Sequence, residues 1–590
     1  MATVQNKDIQ KSLKLIDELK YDDAIYLLKK VLRNDVKNSQ ALSVLGQLYI
    51  SKAKYKEAID CLEKCIKHSP NDYELIARLA YACEKNGDYQ KAIDLYKKAL
   101  SYDLNQFHLY DCIGRTLSKD AQDYDAIAYM YKALHHIKND PWIHNNIAFS
   151  AKRIGAYDIA LKHYEIAHQM DPATQLFLSC QIFNSFKDPN KTLKDIQSIA
   201  EDNYAKFLSK TEGQVPGDLN QRLDSTKTKL RLGFVSADIC QHPVSAYLLP
   251  VLENINREQF DIYIYYAETK VDHVTESFKQ LANKFEFIKS KSDQEAALMI
   301  YQDEIDLLFD MSGFTTGGRL GIFKIKPAPV QVHHIGFFGT LGMPQMDFLL
   351  ADAHMIREGE DQFFTEKVYR MDTCYTHCNL NGLPEARRDL PYTKNGFVTF
   401  GSMNGFHKIS THVLNLWSSI LKEIPNSKLI INAQSLKTEA NKKYVLDIFA
   451  NNGIDRSRLD IRSSGPREDF LKTYSEIDIA LDPFPYGGGT TTTESLMMNV
   501  PVVTIDGDRW TARMSSSFLT LSKLPELIAK DQDEYFKIAT DLAKDTDRLL
   551  FYRNNLRTQV ISSNLNLETH INNLEKAIWE MWQIKCEEST

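Results

Sequence analysis

Small apolar positions recur with a fixed period along the first 173 residues. Alanines stand 34 residues apart at five places, and each is followed by isoleucine or leucine. These alanines are Ala24, Ala58, Ala92, Ala126 and Ala160. A second series of small residues runs with the same period through Gly46, Ala80, Gly114 and Ala148. Small residues let two helices approach closely, so the pattern predicts pairs of packed helices.

This 34-residue period is that of tetratricopeptide repeats, in which each unit is two antiparallel helices. About five units over residues 1–173 predict an α-solenoid whose concave face suits a peptide. Such arrays bind protein partners or substrate tails, and the sequence does not say which. Residues 174–228 are predicted to be a helical connector, interrupted by DPN at 188–190 and QVPG at 214–217.

From residue 229 the pattern changes to short apolar runs separated by helical stretches. Candidate strands lie at 230–236, 260–266, 285–288, 305–311, 330–335, 396–400, 428–432, 459–462, 477–481 and 500–505. They predict two Rossmann-like lobes with parallel sheets, at 229–385 and 394–565, separated by a polar break at about 380–395. An amphipathic helix is predicted at 566–584, docked on a lobe. Ligands of such sheets bind outside the carboxyl ends of the strands.

Composition narrows the class of protein. The chain has 590 residues, which is too long for a single hydrophobic core. Its net charge of −7 argues against a general nucleic-acid binder. The sequence has no apolar run of 18 residues and no apolar signal core near its start, so we expect no membrane span and a cytoplasmic location. Nine scattered cysteines fit reduced thiols in a cytosolic protein.

The segment DIALDPFPYGGGTTTTESL at 478–496 carries the strongest chemical signal. An apolar strand is followed by a turn rich in proline and glycine, then by threonines that open a helix. The N–H groups of a helix start attract a phosphate, glycine lets the backbone approach it, and threonine adds hydroxyl donors. An ordinary loop between strand and helix is the alternative reading.

Further motifs stand in both lobes: GFVSAD at 233–238 with HP at 242–243, DMSGFT at 310–315, KPAPVQV at 326–332, GFFGTLG at 336–342 and FGSMNGFHK at 400–408. With the segment at 478–496 they make the chain resemble the O-linked N-acetylglucosamine transferase and SPINDLY family. The resemblance implies tetratricopeptide repeats followed by an α/β glycosyltransferase of the GT-B fold, with 229–385 as the catalytic lobe and 394–565 as the nucleotide-sugar-binding lobe.

The resemblance also implies residue roles. Lys408 matches the lysine that contacts the donor pyrophosphate and assists departure of the leaving group, although a solvated lysine is the alternative. His242 matches a histidine of the active-site cleft, which acts either as the base toward the acceptor or by positioning a substrate. Asp306 falls near a position that is histidine in some relatives, so a second catalytic histidine is not assumed.

Other matches concern the donor. Thr490 and Thr491 match the threonines at the phosphate, and Glu494 matches an acidic residue that holds the ribose. Gly488 and Gly489 line the same turn, although some relatives have histidine at the position of Gly489. A further set is predicted to bind the nucleotide sugar: Arg467, which a surface arginine would explain equally well, and Gly339 and Thr340 of the loop at 336–342, which a tight turn would also explain.

No metal and no cofactor are expected. Asp531 with Asp533, and Asp545 with Asp547, fit the Asp-x-Asp pattern of metal-dependent glycosyltransferases, but both pairs lie in a charge-rich helical region and are interpreted as solvated faces. Lys408 and the helix start can supply positive charge instead.

The implied function is inverting transfer of a sugar from a nucleotide donor, UDP-GlcNAc in the first instance, to Ser or Thr of a polypeptide held by the repeats. O-fucosyl transfer, N-glucosyl transfer and a non-catalytic repeat scaffold are the alternatives. The segment around the four threonines is closer to the SPINDLY branch, which includes fucosyl transfer. Lys- and Ile-rich composition favours a bacterial source, with flagellin or another surface protein as acceptor. The oligomeric state stays open, a homo-oligomer included.

Overall fold

Helices alone form the first part of the chain, and two parallel sheets with their helices form the larger part of the remainder. The structure is a computed structural model that describes residues 2–188, 190–378, 383–563 and 565–589. The break predicted at about 380–395 therefore lies partly outside the described residues, as does residue 189 of the break at 188–190.

The first unit contains the chain up to Ile154 together with Thr438–Tyr444. Its helices are α1 Ala2–Asp17, α2 Tyr21–Asn34, α3 Ser39–Ser51, α4 Tyr55–Ile66, α5 Tyr73–Asn86, α6 Tyr89–Tyr102, α7 His108–Lys119, α8 Asp123–His136 and α9 Pro141–Arg153. The periodic alanines of these helices are fully buried. A Cβ atom on Gly46 of α3 would stand 2.8 Å from Leu62 of α4, so close helix packing requires the small residue. The predicted helical repeats are confirmed.

Helix starts in this unit follow the same period. The helices α3, α5 and α9 are preceded by Asn38, Asp72 and Asp140. The first two of these residues lie one 34-residue period apart, and the last lies two periods further on. Each side chain accepts a hydrogen bond from a backbone N–H in the first turn of its helix. Such N-caps satisfy donors that the helix itself cannot, and each contributes about 1 kcal/mol. The repeat pattern thus specifies where helices begin as well as how they pack.

The second unit runs from Gly155 to Lys437 and resumes at Val445. It begins with α10 Tyr157–Met170, α11 Gln175–Ser185 and α12 Leu193–Lys206. The first lobe contains β1 Leu230–Ser236, α13 Pro243–Asn254, β2 Phe260–Tyr266, α14 His273–Leu281, β3 Lys284–Phe287, α15 Asp293–Gln302, β4 Leu307–Asp310, α16 Leu320–Ile325, β5 Val330–His333, β6 Phe348–Asp352 and β7 Lys367–Met371.

The second lobe contains α17 Pro391–Asn395, β8 Val398–Ser402, α18 Thr411–Glu423, β9 Ser427–Asn432, α19 Glu439–Asn451, β10 Leu459–Arg462, α20 Arg467–Thr473, β11 Ile479–Leu481, α21 Thr490–Met497, β12 Val502–Ile505, α22 Trp510–Leu521, β13 Ile528–Ala529, α23 Gln532–Lys544, α24 Thr546–Ile561 and α25 Leu567–Glu588. The helix α19 includes residues of both units.

Both sheets are parallel throughout. The first has the strand order β3-β2-β1-β4-β5-β6-β7, and the second has the order β10-β9-β8-β11-β12-β13. The order reverses between β1 and β4 and again between β8 and β11, and ligands of open parallel sheets bind at such reversals. The predicted fold class is confirmed. Three of the described strands, β6, β7 and β13, were not predicted. The strand β13 is only two residues long, β6 follows an apolar loop, and β7 lies at the edge of its sheet and contains charged residues.

The last helix, α25, packs on the first lobe through contacts with α13, β5 and β7. Trp582 is fully buried there, and its indole N–H donates to Asp224 O at 3.0 Å. The amphipathic helix predicted at 566–584 therefore packs on a lobe, as its pattern indicates. Among the described residues, no helix combines the length and the apolar character needed to cross a bilayer.

Candidate functional site

Four of the sequence motifs extend past the carboxyl ends of the strands that flank the two reversals. In the first lobe, 233–238 ends just beyond β1 and 310–315 begins at the end of β4. In the second lobe, 400–408 runs out of β8 and 478–496 runs through β11 into α21. The polar motif residues therefore lie at the sheet edge where this fold binds ligands.

Asp482 organises the glycine-rich turn that follows β11. Its carboxylate accepts hydrogen bonds from Gly488 N at 2.8 Å, from Thr504 Oγ1 at 2.8 Å and from Asn404 Nδ2 at 3.3 Å. The residue is 1% exposed, and burial raises the pKa of its carboxyl group. The carboxylate thus holds the backbone of the turn from the interior of the lobe.

The hydroxyl groups at the start of α21 have different partners. Tyr247 of α13 donates to Thr490 Oγ1 at 3.1 Å, which leaves the Thr490 proton to be donated elsewhere. The Thr491 hydroxyl donates to Asn404 Oδ1 at 2.9 Å, so its proton is already engaged. In this geometry Thr490 is the better placed of the two to donate to a phosphate oxygen.

Lys408 lies beside the same turn. Its Nζ donates to Gly487 O at 2.7 Å and stands 4.5 Å from the centroid of the Tyr486 ring. Burial lowers the pKa of this ammonium group to about 8, while the neighbouring Asp482 carboxylate opposes the shift. An ammonium group held next to a helix start adds to the attraction for an anion.

Arg467 and Glu494, both predicted at the nucleotide, form an ion pair. The guanidinium of Arg467 lies 2.5 Å from Glu494 Oε1. Glu494 is buried, and burial raises the pKa of its carboxyl group against the opposing effect of Arg467. The Tyr474 hydroxyl donates to Thr491 O at 3.1 Å and lies 3.5 Å from Glu494 Oε2. The structure therefore brings together a cation, a carboxylate and a phenol behind the first turn of α21.

The loop at 336–342 is tied into the first lobe. Thr340 Oγ1 donates to the buried Glu366 at 2.7 Å, so its hydroxyl proton is engaged in the protein. Gly339 faces Phe186, and a Cβ at this position would stand 2.3 Å from that ring. His333 bridges Asp310 and the Phe337 carbonyl, each at 2.9 Å, which fixes the start of the loop. Substrate contacts of Gly339 and Thr340 stay a prediction.

His242 caps the first turn of α13, where its Nδ1 accepts from Val244 N at 3.3 Å. Asp238 Oδ1 lies 3.6 Å from the same nitrogen. Burial lowers the pKa of the His242 imidazole and raises that of the Asp238 carboxyl. A neutral ring that accepts at Nδ1 carries its proton on Nε2. The His242 side chain is 42% exposed, so the ring is partly accessible to a substrate.

Asp306 lies outside this cluster. It precedes β4, at the amino end of the strand, where it accepts from Lys227 Nζ at 2.6 Å and from Arg231 N at 2.8 Å. The acidic pairs after β13 are likewise structural in part, because Asp531 and Asp545 cap α23 and α24. Within the described ranges, no group of three or more His, Cys, Asp or Glu side chains is arranged to hold a metal ion.

Several residues at the site were not singled out from the sequence. Asp482 and Asn404 stand inside two of the motifs, one residue after β11 and two residues after β8, and that position was the available signal. Tyr486 also lies within a motif, but a cation at its ring is a tertiary contact. Tyr247 had no sequence signal, since it reaches Thr490 from a helix 243 positions earlier.

Comparison with known proteins decides the family. The model for glycosyl transferase family 41 matches residues 203–380 and 385–574. The chain belongs to glycosyl transferase family 41. The resemblance to the O-linked N-acetylglucosamine transferase and SPINDLY family is thereby confirmed. Ahead of the family 41 region, residues 17–99 match the model for subunit 3 of the anaphase-promoting complex, or cyclosome.

Named relatives agree with that family. The chain is 32% identical over 372 residues to a protein of Arabidopsis thaliana described as probable UDP-N-acetylglucosamine–peptide N-acetylglucosaminyltransferase SPINDLY. It is 26% identical over 386 residues to the plant's SEC protein, which has the same description. These matches cover 62% and 63% of this chain but only 40% and 39% of the relatives. The chain thus spans about two fifths of the length of these relatives.

One solved structure is similar over nearly the whole chain. It is a mutant O-GlcNAc transferase of Thermobaculum terrenum, 26% identical, with a TM-score of 0.76. The similarity covers 94% of this chain and 98% of the other. The fold of this chain therefore resembles, over nearly its whole length, that of a protein of similar extent.

Proposed function

We propose that this chain is an inverting, metal-independent protein O-glycosyltransferase that uses UDP-GlcNAc as donor and Ser or Thr of a polypeptide as acceptor. The observation that carries this proposal is the turn after β11, where the Lys408 ammonium group lies beside the turn and Thr490 begins α21. Membership of family 41 supports glycosyl transfer, and the names of the plant relatives support GlcNAc as the sugar and a peptide as the acceptor.

The chemistry assigned to the turn is stabilisation of the leaving group. The bond between the sugar C1 and the diphosphate oxygen breaks while a bond from C1 to the acceptor oxygen forms. Negative charge grows on the diphosphate, and Lys408 with the N–H groups of α21 would stabilise it. This positive charge takes the part that a divalent ion plays in other enzymes, which supports metal independence.

The acceptor hydroxyl must lose a proton, and His242 is the proposed recipient or positioning group. Its observed hydrogen bond from Val244 N leaves Nε2 protonated, which makes Nε2 a donor toward a substrate. Acting as a base requires the other tautomer, with Nδ1–H directed at Asp238 and Nε2 free to accept. The Nδ1–Oδ1 distance of 3.6 Å exceeds a hydrogen bond, so a small approach would be needed.

Acceptor binding is assigned to the repeats, since arrays of helix pairs present extended surfaces to polypeptides. A cytoplasmic location, a surface protein such as flagellin as acceptor, and self-association belong to the same proposal. O-fucosyl and N-glucosyl transfer are competing outcomes of the donor test, because the same turn would bind any nucleoside diphosphate sugar.

A donor screen tests the proposal. Purified protein is heated with UDP-GlcNAc, UDP-glucose, UDP-galactose or GDP-fucose, with and without EDTA, beside Lys408→Ala. We expect UDP-GlcNAc to raise the melting temperature, because a ligand at a hundredfold excess over Kd adds about 2.7 kcal/mol to stability. The shift should survive EDTA and vanish in Lys408→Ala. Lys422→Ala, an exposed lysine of α18, should behave as wild type.

The outcomes separate the readings. If only GDP-fucose or only UDP-glucose raised the melting temperature, that nucleotide sugar would replace UDP-GlcNAc as the proposed donor. Mass spectrometry of a modified acceptor would show whether the sugar is attached to Ser or Thr or to Asn. A folded protein that responds to no donor, nor to UDP or GDP, would contradict the transferase and leave the repeat scaffold.

A further inference from the structure

The end of α11 and the residues after it, defined here as the connector loop at 184–188, are fixed by both lobes. Arg509 is 2% exposed, and its guanidinium donates to Asp188 O at 2.9 Å. On the other side, the Phe186 ring fills the space beside Gly339 of the first lobe. The connector loop therefore has a defined position at the edge of the candidate site.

Lys187 of the connector loop is 3% exposed. Its ammonium group stands 4.7 Å from the ring centroid of Phe183, 5.6 Å from that of Tyr157 and 5.7 Å from that of Tyr486. Its Nζ lies 3.4 Å from Asn184 Oδ1. Aromatic faces attract an ammonium group. The three rings therefore hold the Lys187 side chain beside Tyr486, the residue that precedes the glycine-rich turn.

The Tyr486 ring connects this lysine with the phosphate turn. Lys408 stands 4.5 Å from the same ring centroid and donates to the carbonyl of Gly487, the next residue. Two ammonium groups gathered at one ring repel each other when both are protonated. An anion within reach of both would turn that repulsion into a favourable interaction, and the turn they flank leads into the amino end of α21.

We propose that Lys187 is a second cationic residue of the donor site, which binds the diphosphate of the nucleotide sugar together with Lys408. This inference rests on the proposed function, since it takes a nucleoside diphosphate as the ligand. The donor site is then built from three parts of the chain: the second lobe, Tyr247 of the first lobe, and the connector loop that precedes both lobes.

Isothermal titration with UDP, GDP and inorganic pyrophosphate tests the proposal, with uridine and guanosine titrated by NMR as ligands that lack phosphate. Lys187→Met keeps the alkyl stem and removes the charge, Lys187→Gln leaves a neutral polar end, and Lys187→Arg restores the charge. Lys194→Met removes a charge from an exposed position of α12 as the matched control.

We expect Lys187→Met and Lys187→Gln to weaken binding of the accepted nucleoside diphosphate and of pyrophosphate about tenfold, which corresponds to about 1.4 kcal/mol. Binding of the nucleoside should stay within twofold of wild type. Lys187→Arg should recover most of the affinity, and Lys194→Met should retain all of it.

Two results would overturn the assignment of Lys187 alone. One is diphosphate binding by both neutral variants as tight as that of wild type. The other is an equal loss of nucleoside and diphosphate binding together with a lower melting temperature, which would mean that Lys187 only packs the loop. If wild type binds pyrophosphate in a Lys187-dependent manner but neither UDP nor GDP, the anion site stands and the nucleotide-sugar function fails. Binding of none of the three would end both proposals.

Discussion

At the scale of single residues, Lys408 differs from a surface lysine in its surroundings. Its ammonium group lies against the Tyr486 ring and donates to a main-chain carbonyl, and its pKa falls to about 8. An ordinary lysine titrates near 10.4. The charge needed to attract a diphosphate is therefore present below about pH 8 and is lost as the pH rises through that value.

This titration predicts a pH-dependent affinity. The Kd of the accepted nucleoside diphosphate should be flat from pH 7 to 8 and then rise with pH, by as much as tenfold per unit. Calorimetry between pH 7 and 9.5 measures it. Lys408→Arg should remove the dependence, because a guanidinium stays protonated throughout that range. An unchanged wild-type Kd at pH 9.5 would contradict the role of the ammonium charge.

At the scale of elements, the turn between β11 and α21 makes unequal demands on its glycines. A Cβ on Gly488 would stand 2.2 Å from Thr492 Oγ1 and 2.9 Å from Asp482 Oδ1. A Cβ on Gly489 would meet nothing nearer than the Tyr375 hydroxyl at 3.8 Å. Close packing under the turn therefore requires glycine at position 488 and leaves room for a side chain at position 489.

The two glycines give a matched pair of variants. Gly488→Ala should displace the turn from the Asp482 carboxylate, weaken nucleoside diphosphate binding at least tenfold and lower the melting temperature. Gly489→Ala should bind within about twofold of wild type. Calorimetry and thermal melting of both proteins check the pair, and equal behaviour of the two would show that the turn does not depend on this packing.

At the scale of the whole molecule, three buried histidines join elements that are distant in sequence. His334 follows β5, His377 lies beyond β7, and His570 belongs to α25, with the rings of the last two 5.4 Å apart. His377 Nε2 lies 2.9 Å from the carbonyl of Tyr247, the residue that reaches α21. Burial lowers the pKa of all three imidazoles, that of His334 to about 4.

These shifts predict acid-sensitive stability. The unfolded chain binds a proton at a histidine near pH 6.5, whereas the folded chain binds one at His334 only near pH 4. The free energy of unfolding is therefore highest above pH 6.5 and decreases as the pH falls from there toward 4. His334 alone accounts for a loss on the order of 2 kcal/mol between pH 6.5 and 5.

Urea unfolding at pH 7.5, 6.5 and 5, followed by tryptophan fluorescence, measures this loss. His334→Phe should show a smaller decrease than wild type over the same interval. His68→Phe, at an exposed position, should lose stability as wild type does. Parallel decreases in all three proteins would show that His334 does not contribute.

The sequence alone determined the features that depend on near neighbours. The 34-residue period predicted the helical repeats, because helix pairing places small residues at fixed intervals. Apolar runs predicted most of the strands, since strands buried on both faces need continuous hydrophobic residues. The motifs also indicated which turns follow which strands, and hence where Lys408, Thr490 and Glu494 stand along the chain.

Only the tertiary structure decided which distant residues meet. It brought Tyr247 to Thr490, paired Arg467 with Glu494, and set Lys187 at the Tyr486 ring. It also placed Asp306 at the amino end of β4, away from the candidate site at the carboxyl ends of the strands. Local periodicity carries no information about such contacts, because they arise when the order of strands in the sheets and the packing of helices bring separated segments together.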